Sequence, residues 1–145
     1  MIVNVSSIGG RTASPFAAGY HASKFALEGL SESLRYELSL HKIRVKLIEP
    51  SHFKTGFIER SLQCTEDPAY DAAFQNYMDW VRHEDAKAPD AMPVAEAILK
   101  AAEDTSGRLR YPVKGRLVLA LVAVLPDALW RSLLGEGMTR PVREK

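Results

Sequence analysis

Tyr20 and Lys24 stand four residues apart in "YHASKFALEGL". On a helix such a pair shares one face, with Cβ atoms about 5–6 Å apart, so the phenol and the ammonium can enter one site. The ammonium favours the phenolate. Bringing a phenol from its reference value of about 10 to about 7 takes roughly 4 kcal/mol of differential stabilisation, and the product is a general acid/base for neutral pH. By itself the pair is weak evidence, because a chain of this composition holds one by chance in about one case in four. Its surroundings add weight. "NVSSIGG" puts Ser6 and Ser7 at the end of an apolar, strand-like run, with Ser7 thirteen residues before Tyr20. Open parallel α/β sheets place ligands at that end of their strands. "EPSHFKT", Glu49–Thr55, closes the next strand-like run, so three polar clusters converge on one rim.

These residues need elements to hold them. "MIVNV" is short, apolar and β-branched and runs into a Ser/Gly turn, as a buried strand does. From about Tyr20 to His41, Leu27, Leu30, Leu34 and Leu38 recur with Glu28, Glu32, Arg35 and Glu37 between them, the period of an amphipathic helix. His41 and Lys42 suit the negative end of its dipole. "IRVKLIEP", Ile43–Pro50, alternates with period two and predicts a second strand. Strand, helix and strand form a βαβ unit with parallel strands. Residues 53–92 predict a helical excursion outside the sheet, and Pro93 opens a helix carrying Val94, Ala97, Ile98 and Ala101. "GRLRYPV" predicts a third strand, Leu117 to Leu134 a helical segment broken near Pro126, and 138–145 a polar tail. The fold class is α/β, a doubly wound parallel sheet of about three strands with flanking helices.

Composition narrows the partners. Of the 145 residues, 46% are hydrophobic and 26% charged, which suits a globular domain. A net charge of +1 supplies no field for nucleic acid or an anionic surface. The lone Cys64 and four scattered histidines predict neither disulfide nor metal, which points to a cytoplasmic setting and leaves Cys64 an incidental thiol. "LVLALVAVL", Leu117–Leu125, is too short to span a bilayer and reads as core or a buried surface helix. Glu49 reads as a strand end and Glu28 as part of a solvated helix face.

"IVNVSSIGG", "YHASKFALEGLSESLRYEL" and "IRVKLIEPSHFKT", in this order and spacing, resemble the second half of the short-chain dehydrogenase/reductases. The resemblance is strong over residues 2 to 57 and continues more weakly from Pro93. It implies a partial Rossmann-like fold and an oxidoreductase that moves a hydride between NAD or NADP and a small-molecule alcohol or ketone. It implies Tyr20 as the proton donor and acceptor, Lys24 as its electrostatic partner and the holder of the nicotinamide ribose, with Tyr20 beside it among the cofactor-binding residues, and Ser7, rather than Ser6, as the group that orients the substrate oxygen. Pro50, the backbone around His52, and Thr55 match the loop that covers the nicotinamide, with Ser51 where glycine is usual. The family also dimerises through the long helix, which implies a homo-oligomer.

The family's glycine-rich first turn, its Asn-Asn-Ala-Gly stretch and the residue that tells NAD from NADP have no counterpart here. The expectation is the C-terminal portion of one dinucleotide-binding domain, with an inactive remnant serving as an interaction or dimerisation module as the alternative. In the family, residues 53–92 fall where a substrate lid sits. Phe53, Phe57, Tyr70, Phe74, Tyr77, Met78 and Trp80 would suit an apolar, lipid-like substrate, although such a stripe more often means ordinary packing.

Overall fold

The structure, a computed structural model, describes residues 1–61, 67–130 and 132. Cys64, the tail 138–145 and the end of the 117–134 segment lie outside the described residues. In chain order the elements are β1 (Ile2–Val5), a 3₁₀ turn (Ile8–Gly10), α1 (Ala18–Ser39), β2 (Val45–Pro50), α2 (Phe57–Ser61), α3 (Asp71–Lys87), α4 (Met92–Glu103), β3 (Arg110–Val113) and α5 (Arg116–Val124). They fall into two compact units.

The first unit comprises Met1–Ala13, Ala17–Ser51 and Met92–Val124. Its sheet has the order β1-β2-β3, with both pairings parallel; Ile2 lies opposite Val45, and Leu47 opposite Arg110. The crossovers through α1 and α4 are what a parallel sheet requires. Leu34 and Leu38 of α1 pack on Val45, Leu47 and Leu109, the core on that side. α4 packs on the other face, beside Tyr111 and Val113. β2 is therefore covered on both faces, and Lys46 and Glu49 are fully buried with Leu47 and Ile48. Such burial is what a strand inside a parallel sheet covered by helices on both faces requires. β1 is less covered than expected, with Ile2 and Val5 exposed.

Helix α1 stops at Ser39, before His41 and Lys42, so neither residue lies in its last turn. Lys42 takes a left-handed φ of 56°, and Ile43 N and Lys42 N donate back to Leu38 O and Ser39 O, a Schellman closure. Leu30 is 55% exposed, whereas His21, Glu28 and Ser31 are buried, so the buried stripe is rotated from the one the leucines suggested. The Glu28 reading is corrected with it. β3 is shorter than "GRLRYPV" because a turn takes its first residues: Asp104 Oδ1 accepts from Ser106 N. Lys46 Nζ then donates to Ser106 O, Arg108 O and Tyr111 Oη at 2.9–3.0 Å, and Tyr111 Oη donates to Asp104 Oδ2. Only Leu119 of α5 is buried and Leu117 and Val124 are exposed, which corrects the reading of that run as core. Among the described residues no helix is long and apolar enough to cross a membrane.

The second unit comprises Ser14–Phe16, His52–Ala91 and the described residues from Leu125. Met78 and Val81 of α3 are buried, as is Phe53. The Phe16 ring meets Phe74 edge-on at 5.5 Å and Tyr77 at 5.6 Å, and Tyr77 stacks on Trp80 at 6.2 Å. These aromatics contact one another.

Candidate active site

β1 ends at Val5 and hands the chain to Ser6 and Ser7, both buried. Ser6 N donates to Ile48 O, which continues the β1–β2 ladder one step beyond the strand. The Ser7 side chain does two things at once. Its Oγ accepts from Gly9 N at 3.0 Å, capping the 3₁₀ turn, and donates to Pro50 O at 3.3 Å. The hydroxyl is thus fixed between the ends of β1 and β2.

Gly9 is the hinge between this serine and α1. A Cβ there would lie 3.0 Å from Tyr20 Cε1 and 3.1 Å from His21 Nδ1, so a side chain would have to push both rings aside. His21 Nδ1 donates to Gly9 O at 2.8 Å and clamps the turn to the first coil of the helix. Gly10 is equally tight: a Cβ would come within 2.8 Å of Glu28 Cγ and 2.9 Å of Lys24 O. Two consecutive glycines therefore let the loop of Ser7 lie directly on the helix of Tyr20 and Lys24.

Tyr20 and Lys24 share one face of α1. Lys24 Nζ lies 5.9 Å from the centre of the Tyr20 ring and donates to Val5 O at 3.1 Å. That bond aims the ammonium at the C-terminal end of β1. Pro50 belongs to the same unit as these residues, and His52 and Thr55 to the second. The His52 ring meets Asp85 Oδ1 at 3.1 Å and Thr55 Oγ1 accepts from Phe57 N at 3.3 Å, so both side chains have local partners.

Directly behind the serines lies a charged cluster. Arg110 Nε donates to Glu28 Oε2 at 3.0 Å and Nη2 to Glu32 Oε2 at 2.9 Å. These bonds hold Glu32 below the ordinary carboxylate range and raise Arg110 further. Glu49 faces the same cluster, and burial, followed by the charge of Glu28, pushes its carboxyl up to about 7. Glu49 is no plain strand end. Glu28, Glu49, Arg110, His21 and the two glycines were not picked out from sequence as parts of the site. The "IGG" after the serines and the spacing of His21, Glu28 and Ser31 on one helical side are the signals that were available.

A family model described as short chain dehydrogenase matches residues 1–65. An uncharacterized oxidoreductase of Bacillus subtilis, YusZ, is 38% identical over 141 residues, 92% of this chain and 50% of that protein. The chain belongs to the short-chain dehydrogenase/reductase family. A second relative in that family, the 3-ketodihydrosphingosine reductase of Bacteroides thetaiotaomicron, is 33% identical over 140 residues, 92% of this chain and 52% of that protein. A crystal structure of a short-chain dehydrogenase from Burkholderia cenocepacia in complex with NADP superposes with a TM-score of 0.63 at 23% identity, covering 92% of this chain and 46% of the other. The parallel sheet with flanking helices is the Rossmann-type fold of the family. The chain spans about half the length of the curated relatives it matches.

Proposed function

We propose that this chain carries the proton-transfer half of a nicotinamide-dependent oxidoreductase acting on an alcohol or ketone. Tyr20 is the acid/base, giving a proton to the substrate oxygen in reduction and taking it in oxidation. Lys24 sets its positive charge beside the Tyr20 ring, and Ser7 orients the substrate oxygen by hydrogen bonding. The observation that carries this reading is the Lys24 ammonium 5.9 Å from the Tyr20 ring, on a helix clamped through Gly9 to the turn that fixes Ser7.

The donors suit a nicotinamide nucleoside. Lys24 has three N–H donors and gives one to Val5 O, leaving donors for the hydroxyls of a ribose. The close packing at Gly9 and Gly10 leaves no side chain between the Ser7 loop and the helix. A bound nicotinamide supplies or accepts the hydride. Pro50, the backbone at His52, and Thr55 are assigned to its amide end. NAD and NADP are equally open. The aromatic segment 53–92 is assigned to the apolar part of the substrate, a role supported by the relative named for a long-chain ketone.

The test is binding. Titrating the chain with NADH and with NADPH, followed by cofactor fluorescence, should show saturable binding that Lys24→Met weakens about tenfold, the worth of one charge-assisted hydrogen bond. Absence of binding, or binding indifferent to Lys24→Met, contradicts the assignment and favours an interaction module instead.

A further inference from the structure

Glu49 stands one residue before Pro50, whose carbonyl holds Ser7 Oγ. Its side chain is 0% exposed, and neither carboxylate oxygen has a hydrogen-bond donor among the described residues. The groups that face it are few. α1 brings Glu28 and, one turn on, Glu32; the segment after the 3₁₀ turn brings Arg11; β3 brings Arg110. β1 carries no ionisable side chain, and Lys46 and α4 lie on the other face of β2. Arg110 donates to Glu28 and Glu32 and comes no closer to Glu49 Oε1 than 3.6 Å, while Arg11 stops at 3.8 Å. Both distances are too long for hydrogen bonds. Two guanidinium groups therefore balance two carboxylates, and an ionised Glu49 would be a third, buried and without a donor. Such a group takes up a proton instead.

We propose that Glu49 is a positioning residue, kept as a neutral carboxylic acid so that the end of β2 can close onto the Ser7 loop without burying a third negative charge that no hydrogen bond holds. The linkage is short. Ile48 O accepts from Ser6 N at 2.8 Å and Pro50 O from Ser7 Oγ at 3.3 Å, so Glu49 sits between the two bonds that hold the loop. Ser6 Oγ is itself buried without a partner, and Gly10 packs between it and Glu28 Cγ. Loss of the proton draws Arg110 away from Glu28 or admits water, and either event moves the loop relative to α1. The tendency of burial and Glu28 to raise the Glu49 carboxyl places this event near neutral pH.

This inference rests on the proposed role of Ser7 only in its catalytic meaning, and its test needs no turnover. Amide hydrogen exchange at Ser6–Arg11, corrected for intrinsic rates, is compared at about pH 6 and about pH 8.5 in the full chain and in Glu49→Gln, with the infrared band of a protonated carboxyl followed in parallel. The wild type should lose about tenfold in protection on going to the higher pH, the equivalent of one pKa unit, while Glu49→Gln keeps its protection. The carboxyl band should be present at the lower pH and missing from the variant. Equal pH dependence in both proteins, or no such band, overturns the proposal. Should Glu49→Gln fail to fold, Glu28→Gln decides. Removing the like charge must move the infrared transition to lower pH, and an unmoved transition overturns the proposal. If both readouts behave as expected in a protein that binds no nicotinamide, the oxidoreductase reading fails and the positioning result stands.

Discussion

Strand β2 buries two ionisable side chains three residues apart, on opposite faces, and the fold treats them in opposite ways. Lys46 spends its three donors on Ser106 O, Arg108 O and Tyr111 Oη, and Tyr111 passes on a bond to Asp104. Burial and nearby arginines lower the Lys46 ammonium, the bond to Asp104 helps push the buried Tyr111 up to about 12, and Asp104 is held below the ordinary carboxylate range. Every member is satisfied, so the network fixes the turn before β3 in one place. The Glu49 side chain, equally inaccessible, has no hydrogen bond among the described residues. A closed network belongs to architecture. An open one, placed beside the Ser7 loop, leaves a group whose state can change.

Three substitutions sharpen that contrast. The largest effect is expected from Lys46→Met, which removes the ammonium's bonds to Ser106 O, Arg108 O and the Tyr111 hydroxyl and leaves Tyr111 only its bond to Asp104; denaturant unfolding should show a loss of about 3 kcal/mol at any pH near neutral. Glu49 should give a smaller loss that depends on pH. Its folded value, about 7, lies above its ordinary value of 4.5, so the fold holds the proton more tightly than the unfolded chain does. The contribution is fully present below about pH 4.5 and is lost as pH rises to about 7, so stability should fall by about 2 kcal/mol between about pH 5 and about pH 8. Thermal melts of Glu49→Gln should lack that part of the fall; if the two proteins lose stability in parallel, Glu49 is ionised throughout and the contrast with Lys46 fails. The smallest effect belongs to Leu30→Gln. Leu30 is 55% exposed despite its place in the leucine pattern, and its replacement should stay within about 0.5 kcal/mol in the same melts.

How much of this was written in the sequence depends on whether a feature is local. The parallel βαβ order was legible because "MIVNV", the long helix and "IRVKLIEP" each carry their own periodicity. Tyr20 and Lys24 were legible because four residues on a helix fix a shared face without help from elsewhere. Glu28 and Glu49 were not, since carboxylates default to the surface and theirs are buried against Arg110, 82 residues beyond Glu28. Ser31 and Glu28 lie on one flank of Leu27 and Leu34, and Leu30 on the other; which flank faces the sheet is decided by β2, whose Leu47 packs with Leu34 and Leu38. The end of α1 at Ser39 rests on the left-handed Lys42, which sequence preference does not single out. Gly9 and Gly10 looked like a turn and serve as a contact surface for Tyr20, Lys24 and Glu28.

The proton-transfer role of Tyr20 is the centre of the account, and turnover of an apolar alcohol or ketone with a nicotinamide cofactor tests it most directly. Tyr20→Phe removes one hydroxyl from a partly exposed side chain and should change cofactor affinity by no more than about tenfold, the worth of one hydrogen bond, while kcat falls by about 10²–10⁴-fold, the usual contribution of a positioned general acid/base. A Tyr20→Phe protein that turns over within about threefold of the wild type would contradict the assignment.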